Sequence, residues 1–148
     1  MTRYAIGDIH GGSKTFRALL EKLNLKHDDQ LYLLGDYVDR GPDSKGVLDM
    51  ILQLMVSGYD VRPVRGNHDD MMLQSFIRTR GGLSSSWLEE YGVATFGSFG
   101  VDSFKDLPRK YLMLLETMPH ILMDDDYVFV HAGLDMERDD PLSVVEIW

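Results

Sequence analysis

The chain has 148 residues, and 24 Asp and Glu against 15 Lys and Arg give it a formal net charge of -9. This acidic balance argues against a nucleic-acid partner, which needs clustered basic residues, and the lack of Cys excludes disulfides, zinc–thiolate sites and thiol nucleophiles. No apolar run approaches the roughly 20 residues that cross a bilayer, and charged residues come too early for a secretory signal. We therefore expect a cytoplasmic protein with no membrane partner. The length predicts one domain, 1–148.

The first third of the chain alternates between predicted strands and helices. Apolar segments at 3–8, 31–34 and 61–65 are predicted strands, and the second is apolar throughout, as in buried parallel strands. Between them, apolar residues recur at helical spacing in two segments, and we predict that Ser13 caps the first helix and that Ser44 opens the second. This strand–helix–strand–helix–strand order predicts an α/β sheet.

The middle and the end of the chain show weaker periodicity. We predict helices at 70–78 and 107–118. Between them we predict a Gly- and Ser-rich joint at 81–86, a short helix around Trp87, Leu88 and Tyr91, and a Gly- and aromatic-rich loop at 92–102. Two short apolar segments then flank three consecutive Asp residues, and this pattern predicts a β-hairpin at 121–130.

Four predicted strands are each followed by polar residues next to glycine. The segments are GDIHG (7–11), GDYVDRG (35–41), GNHD (66–69) and HAG (131–133). Ligands of open α/β sheets bind beyond the carboxyl ends of the strands, so we expect these Asp, Asn and His side chains to meet there.

The residue types in these segments are those of a metal site. Nitrogen and oxygen donors without a thiolate favour Mn, Fe or Zn. One carboxylate can bridge two ions, and a pair of ions about 3.5–4 Å apart suits the hydrolysis of phosphate esters. The chain has 18 Asp and only 6 Glu, and we expect some of these Asp to hold metal rather than to fill turns and helix caps.

The ordered set GDIHG, GDYVDRG, GNHD and VHAG resembles the metallophosphoesterases of the phosphoprotein phosphatase type. The resemblance spans residues 4–134, and the segment WLEEYGVATFGSFG at 87–100 is similar to a stretch of bacterial and bacteriophage lambda-like protein phosphatases. It implies an α/β fold, the calcineurin-like metallophosphoesterase sandwich of two mixed β-sheets flanked by helices. This chain would cover the N-terminal majority of that fold.

The resemblance also implies roles for eight residues. Five of them would hold two divalent metal ions, Mn first with Fe or Zn as alternatives: Asp8 and His10 the first ion, Asp36 both ions, and Asn67 and His131 the second. His68 would be the general acid, Asp39 would orient it, and Arg40 would hold the substrate phosphate. Water bridging the metals would attack phosphorus directly, without a phosphoenzyme.

Several polar residues have structural alternatives. Asp8 could be only a helix cap, and His131 a core histidine. Asp69 is predicted to anchor the loop or cap the next helix, Arg65 to support the loop, and His120 to lie at the surface or behind the site.

The resemblance breaks at the end of the chain. Relatives of this type carry, further on, a second phosphate-binding Arg and a last metal-ligand His, while the apolar residues at 144–148 would need a partner surface. We therefore expect the chain to be part of a longer protein, and the 148 residues alone to be weak or inactive.

Three functions follow from these observations. The leading one is a broadly specific bacterial Ser/Thr-type protein phosphatase acting on phosphoproteins or small phosphoesters, which the intact GDYVDRG with Asp39 favours slightly. The first alternative is a symmetrical dinucleoside tetraphosphate hydrolase. The second, from another class, is a non-catalytic binding module that keeps the fold and a partial metal site.

Overall fold

A computed structural model describes residues 1–80 and 86–142, and the backbone of 145–146. The predicted joint at 81–86 lies outside the described residues except for Ser86, as do the apolar side chains at 144–148. Within the part that is described, no helix is long and apolar enough to cross a membrane.

The first three strands form a parallel sheet. They are β1 (Arg3–Ile6), β2 (Gln30–Leu33) and β3 (Asp60–Pro63), in the order β1-β2-β3, with Arg3 opposite Gln30 and Gln30 opposite Asp60. Helices α1 (Ser13–Leu23) and α2 (Ser44–Val56) connect them. The predicted α/β order is confirmed, and β2 is the central, buried strand because its apolar residues are covered on both faces.

The start of α1 differs from the prediction, whereas α2 begins at Ser44 as predicted. Gly12 stands at the cap position of α1 and makes no side-chain bond, so the prediction that Ser13 caps this helix is wrong. The Ser13 hydroxyl instead donates to Asp43 Oδ2 at 2.5 Å, while Asp43 Oδ1 caps α2 by accepting from the Gly46 N–H at 2.9 Å. One carboxylate therefore ties together the starts of both helices.

The middle of the chain is more helical than predicted. Helix α3 (Asn67–Arg80) begins within the GNHD segment, a π-helical turn runs over Leu88–Gly92, and α4 (Val93–Phe99) occupies most of the predicted loop. The prediction of a loop at 92–102 is wrong, because burial of Thr95 and Phe96 outweighs the low helix propensity of Gly and β-branched residues. Helix α5 (Arg109–Thr117) confirms the last predicted helix.

The predicted hairpin is confirmed as β4 (Ile121–Met123) and β5 (Val128–Val130), which pair antiparallel. The Asp124 N–H closes the turn on the Tyr127 carbonyl at 2.9 Å. Phe129 stacks on the ring of Tyr32 from β2, whose hydroxyl donates to Asp124, so the hairpin packs against the parallel sheet. Strands β6 (Gly133–Leu134) and β7 (Val145–Glu146) form a further antiparallel pair.

Candidate metal centre

The loops that follow β1, β2, β3 and β5 meet at one edge of the sheet, as predicted. Four of the five non-glycine residues with positive φ in the described part of the chain lie here: His10 (43°), Asp36 (56°), Asp39 (69°) and Arg40 (61°). Such conformations are costly and persist where the surroundings hold them in place, typically at functional sites.

Gly35 allows two of these loops to approach each other. Its φ is +98°, and a Cβ at this position would lie 2.6 Å from the Gly66 nitrogen and 2.8 Å from His131 Nδ1. Only glycine fits both the backbone conformation and the space. The contact brings the residue after it, Asp36, against the start of α3.

Asp36 lies at the centre of the cluster. Its Oδ2 is 3.2 Å from His10 Nε2, and its Oδ1 is 3.4 Å from His131 Nε2. One buried carboxylate thus faces two imidazoles with different oxygens, which is the geometry that a bridging ligand needs. Burial by itself would raise the pKa of Asp36, but hydrogen bonds from His131 and the His68 N–H more than offset it, and the pKa is lowered.

Asp8 is the exposed member of the cluster. Its Oδ2 is 4.0 Å from His10 Nε2, and its Oδ1 is 4.0 Å from His131 Nδ1. The sequence assigns it to the first ion with His10, whereas the structure places it equally near both histidines. Donor atoms within 4.8 Å of one another form two groups that share Asp36: His10, Asp36 and His68, and Asp8, Asp36 and His131.

Backbone carbonyls orient both histidines. His10 Nδ1 lies 2.8 Å from the Val38 oxygen and His131 Nδ1 lies 2.7 Å from the Leu34 oxygen. Because a carbonyl only accepts, each Nδ1 carries a proton, and Nε2, which faces Asp36 in both rings, is the nitrogen left to bind a metal. This is the tautomer that a histidine ligand requires.

Two observations show that these residues suit a cation. His10 Nε2 is buried and has no hydrogen-bond partner among the described residues. The Asn67 oxygen faces the acceptor atoms of Asp36, an arrangement that a cation would hold together; turning the amide over lets its NH2 donate to both Asp36 oxygens, at 3.2 and 3.3 Å. Nitrogen, carboxylate and amide-oxygen donors that point at one another fit a divalent metal.

His68 and Asp39 form the predicted pair beside this cluster. Asp39 Oδ2 accepts from His68 Nδ1 at 2.8 Å, and both side chains are almost fully buried. The His68 ring packs edge-on against His10, with 4.9 Å between centroids. The other ring nitrogen, His68 Nε2, lies 3.3 Å from Nη2 of Arg40, which is exposed to solvent. All eight predicted site residues therefore belong to one connected cluster.

Three residues with predicted structural roles lie where the prediction put them. Asp69 is fully buried and accepts from the N–H groups of Asp36, Tyr37 and Gly66 at 2.8–3.0 Å, so it anchors the loop. Burial raises its pKa to about 7 against these hydrogen bonds. Arg65 ties α3 to the end of α5 through Asp70 and two carbonyl oxygens, and His120 faces Asp70 outside both donor groups.

Sequence reasoning missed two residues that touch Asp39. Trp87 Nε1 donates to Asp39 Oδ2 at 2.8 Å, and Thr95 Oγ1 donates to Asp39 Oδ1 at 2.6 Å. They stand 48 and 56 positions away in the chain, and no spacing rule links them to Asp39. The similarity of the segment at 87–100 to protein phosphatases drew attention to this stretch without giving it a role.

The His131 proton makes metal binding depend on pH. Its hydrogen bond to Asp36 raises the pKa of His131 to about 9, with burial acting in the opposite direction. A metal at Nε2 has to displace this proton, so we expect Mn²⁺ affinity to rise up to about tenfold per pH unit between pH 7 and 9 and then to level off.

Calorimetry in buffers of different ionisation enthalpy measures this effect at pH 8 as about one proton released when the ion held by His131 binds. His131→Gln should lower the proton release. His27→Gln should not, because His27 is exposed and lies in the loop after α1. Binding without proton release would mean that the metal does not displace the His131 proton.

The fold and this cluster of donors define the class of protein. The chain belongs to the calcineurin-like phosphoesterase family, whose model matches residues 1–148. Members of this family use a pair of divalent metal ions. The predicted fold is confirmed.

The names of individual similar proteins specify an activity within this family. Over 144 residues, or 94% of this chain, it is 35% identical to the "Bis(5'-nucleosyl)-tetraphosphatase, symmetrical" of Photorhabdus laumondii, covering 46% of that protein. A protein of the same name from Hamiltonella defensa is 33% identical over 137 residues, with 90% of this chain and 45% of the relative covered. The crystal structure of a putative diadenosine tetraphosphatase aligns with a TM-score of 0.69 and 27% identity, over 95% of this chain and 53% of that one. The chain spans about half the length of the curated relatives it matches.

Proposed function

We propose that this protein is a metal-dependent hydrolase that cleaves dinucleoside tetraphosphates symmetrically into two nucleoside diphosphates. The observation that carries the proposal is the Asp36 carboxylate placed between His10 and His131, in a chain whose similar relatives bear the name of this activity. The sequence favoured a protein phosphatase. Asp39 by itself does not identify the substrate, because the hydrogen bond to His68 orients the proposed acid and contacts no part of the substrate.

The substrate is strongly anionic, as is the protein, so the site has to supply local positive charge. Asp8, His10, Asp36, Asn67 and His131 would hold two divalent ions, and these would neutralise phosphoryl oxygens and make bound water a nucleophile at neutral pH. Arg40 adds a planar fork of donors for the remaining phosphate oxygens.

Arg40 also couples phosphate binding to the acid. Asp39 accepts from His68 Nδ1, so the neutral ring leaves Nε2 as an acceptor, which faces Arg40 Nη2 at 3.3 Å. A phosphate group that draws the guanidinium onto its own oxygens frees Nε2. His68 can then hold a proton next to the leaving oxygen.

Symmetrical cleavage makes modest demands on this acid. Water adds to one of the two central phosphorus atoms, the bond from that phosphorus to the central bridging oxygen breaks, and the electron pair stays on the departing nucleoside diphosphate. A terminal phosphate oxygen has a pKa of about 6 and leaves readily without a proton. An alkyl ester leaves as a strongly basic alkoxide and depends on His68.

Product analysis tests the proposal. With Mn²⁺, the full-length protein should convert diadenosine tetraphosphate into two ADP, with one oxygen from 18O-labelled water per pair of products, as chromatography and mass spectrometry would show. Chelation should stop the reaction, since the site works through its ions.

Other products would identify the alternatives. ATP plus AMP would mean asymmetrical cleavage. Faster release of phosphate from a Ser-phosphorylated peptide than of ADP from the dinucleotide would support the protein phosphatase function instead. Metal binding without turnover of either substrate would indicate the non-catalytic module.

A further inference from the structure

Asp39 is fully buried and is held by three side chains from three parts of the chain. His68 Nδ1 and Trp87 Nε1 both donate to Oδ2 at 2.8 Å, and Thr95 Oγ1 donates to Oδ1 at 2.6 Å. A buried carboxylate without such donors would be costly. Trp87 and Thr95 have no role in the proposed reaction, unlike His68.

These two donors fix the plane of the carboxylate. The last torsion of an Asp side chain is soft, so a single partner such as His68 would leave the group free to rock. With Trp87 on one oxygen and Thr95 on the other, rotation of Asp39 breaks at least one bond. The His68 ring, bonded to the same Oδ2 as Trp87, is then held in one orientation.

Trp87 is itself held tightly. Phe104 stacks on its indole at 5.7 Å between centroids, and Phe96 packs edge-on at 5.8 Å. Gly92 also lies against the indole, since a Cβ there would lie 2.6 Å from the ring. Gly92 ends the π-helical turn, a feature that is rare in helices and frequent at functional sites.

Thr95 binds Asp39 twice. Its Oγ1 donates to the carboxylate and also lies 2.9 Å from the Asp39 N–H, for which it is an acceptor. Ser44 Oγ lies 3.1 Å from the same N–H and 3.2 Å from Thr95 Oγ1. The hydroxyl therefore fixes both the side chain and the backbone of a residue whose φ is 69°.

We propose that Trp87 and Thr95 are positioning residues, which orient the Asp39 carboxylate and through it the His68 ring for proton transfer to the leaving group. The proposal rests on the proposed role of His68 as the acid. It predicts that losing either donor lowers kcat most for those substrates whose leaving group has to be protonated.

Kinetics with two leaving groups test this. Trp87→Phe keeps the aromatic packing and Thr95→Val keeps the shape, and each should lower kcat on an alkyl phosphate by about 10-fold or more, the worth of one hydrogen bond to a charged group. On diadenosine tetraphosphate the loss should stay below about threefold, because the leaving phosphate needs little protonation. Thr95→Ser, which restores the hydroxyl, should recover the alkyl-ester rate.

A matched variant separates positioning from general loosening. Phe104→Leu removes the ring that stacks on Trp87 but no bond to Asp39. It should lower the melting temperature about as much as Trp87→Phe while slowing both substrates equally and only slightly. Equal slowing of both substrates by Trp87→Phe and Thr95→Val would overturn the proposal.

A second measurement does not depend on activity. The chain has two Trp, and the indole N–H signal that Trp87→Phe removes from the NMR spectrum is that of Trp87. In metal-free protein, Asp39→Asn should shift this signal clearly, and Asp60→Asn, at the opposite end of the sheet, should not. An unmoved signal would overturn the proposal even if the protein hydrolysed every substrate offered, and a moved signal would support it even if the proposed substrate were wrong.

Discussion

Replacing Asp36 with Asn should lower kcat by about 10³-fold or more on every phosphoester, which corresponds to the several kcal/mol that a metal pair contributes to the transition state. Asp36 lies between His10 and His131, with one carboxylate oxygen 3.2 Å from His10 Nε2 and the other 3.4 Å from His131 Nε2. An amide has only one acceptor oxygen and no charge, so it cannot bridge two cations as the two oxygens of a carboxylate do. Calorimetry should show that the variant binds one Mn²⁺ fewer.

The fold should survive this change. Asp36 has a φ of 56°, a conformation in which Asn is among the most favourable residues, and an Asn oxygen can still accept from the His68 N–H, 3.0 Å from Asp36 Oδ1. Asp60→Asn makes the same chemical change at the start of β3 and should leave turnover unaltered. Unchanged turnover of Asp36→Asn in a folded protein would show that the bridging role is misassigned.

Replacing His68 with Asn should slow an alkyl phosphate by about 10²–10⁴-fold, the usual contribution of a general acid. The same variant should slow diadenosine tetraphosphate by less than about tenfold, because a phosphate leaving group with a pKa near 6 departs without help. The contrast follows from the position of Nε2, which Asp39 and Arg40 hold at the edge of the donor cluster. Steady-state rates across esters of graded leaving-group pKa measure it.

His27→Asn is the matched control. His27 is exposed, packs against Tyr59 and lies in neither donor group, so its loss should change no rate. If His68→Asn slows all esters by one common factor, His68 holds the substrate or the loop in place and is not the acid.

Local patterns were sufficient for much of the fold. The parallel strands, α2, α5 and the hairpin at Asp124 follow from apolar periodicity and turn residues, which act over a few positions. Ser13 and the segment of α4 were misjudged because distant residues determine them. Ser13 finds a better partner in Asp43, and α4 forms because Thr95 and Phe96 are buried.

The sequence by itself determined which donor side chains would meet at one edge of the sheet and the order in which the strands deliver them, because Asp8, His10, Asp36, Asn67, His68 and His131 each stand at the end of a local element. The sequence did not reveal that Asp8 lies equally near both histidines, or which residues support Asp39. Only the packed chain brings Asp8 to 4.0 Å from both His10 and His131 and places Trp87 and Thr95 on the Asp39 carboxylate. The physical reason is that a buried charge draws its partners from whatever surrounds it in space, and separation along the chain puts no limit on that choice.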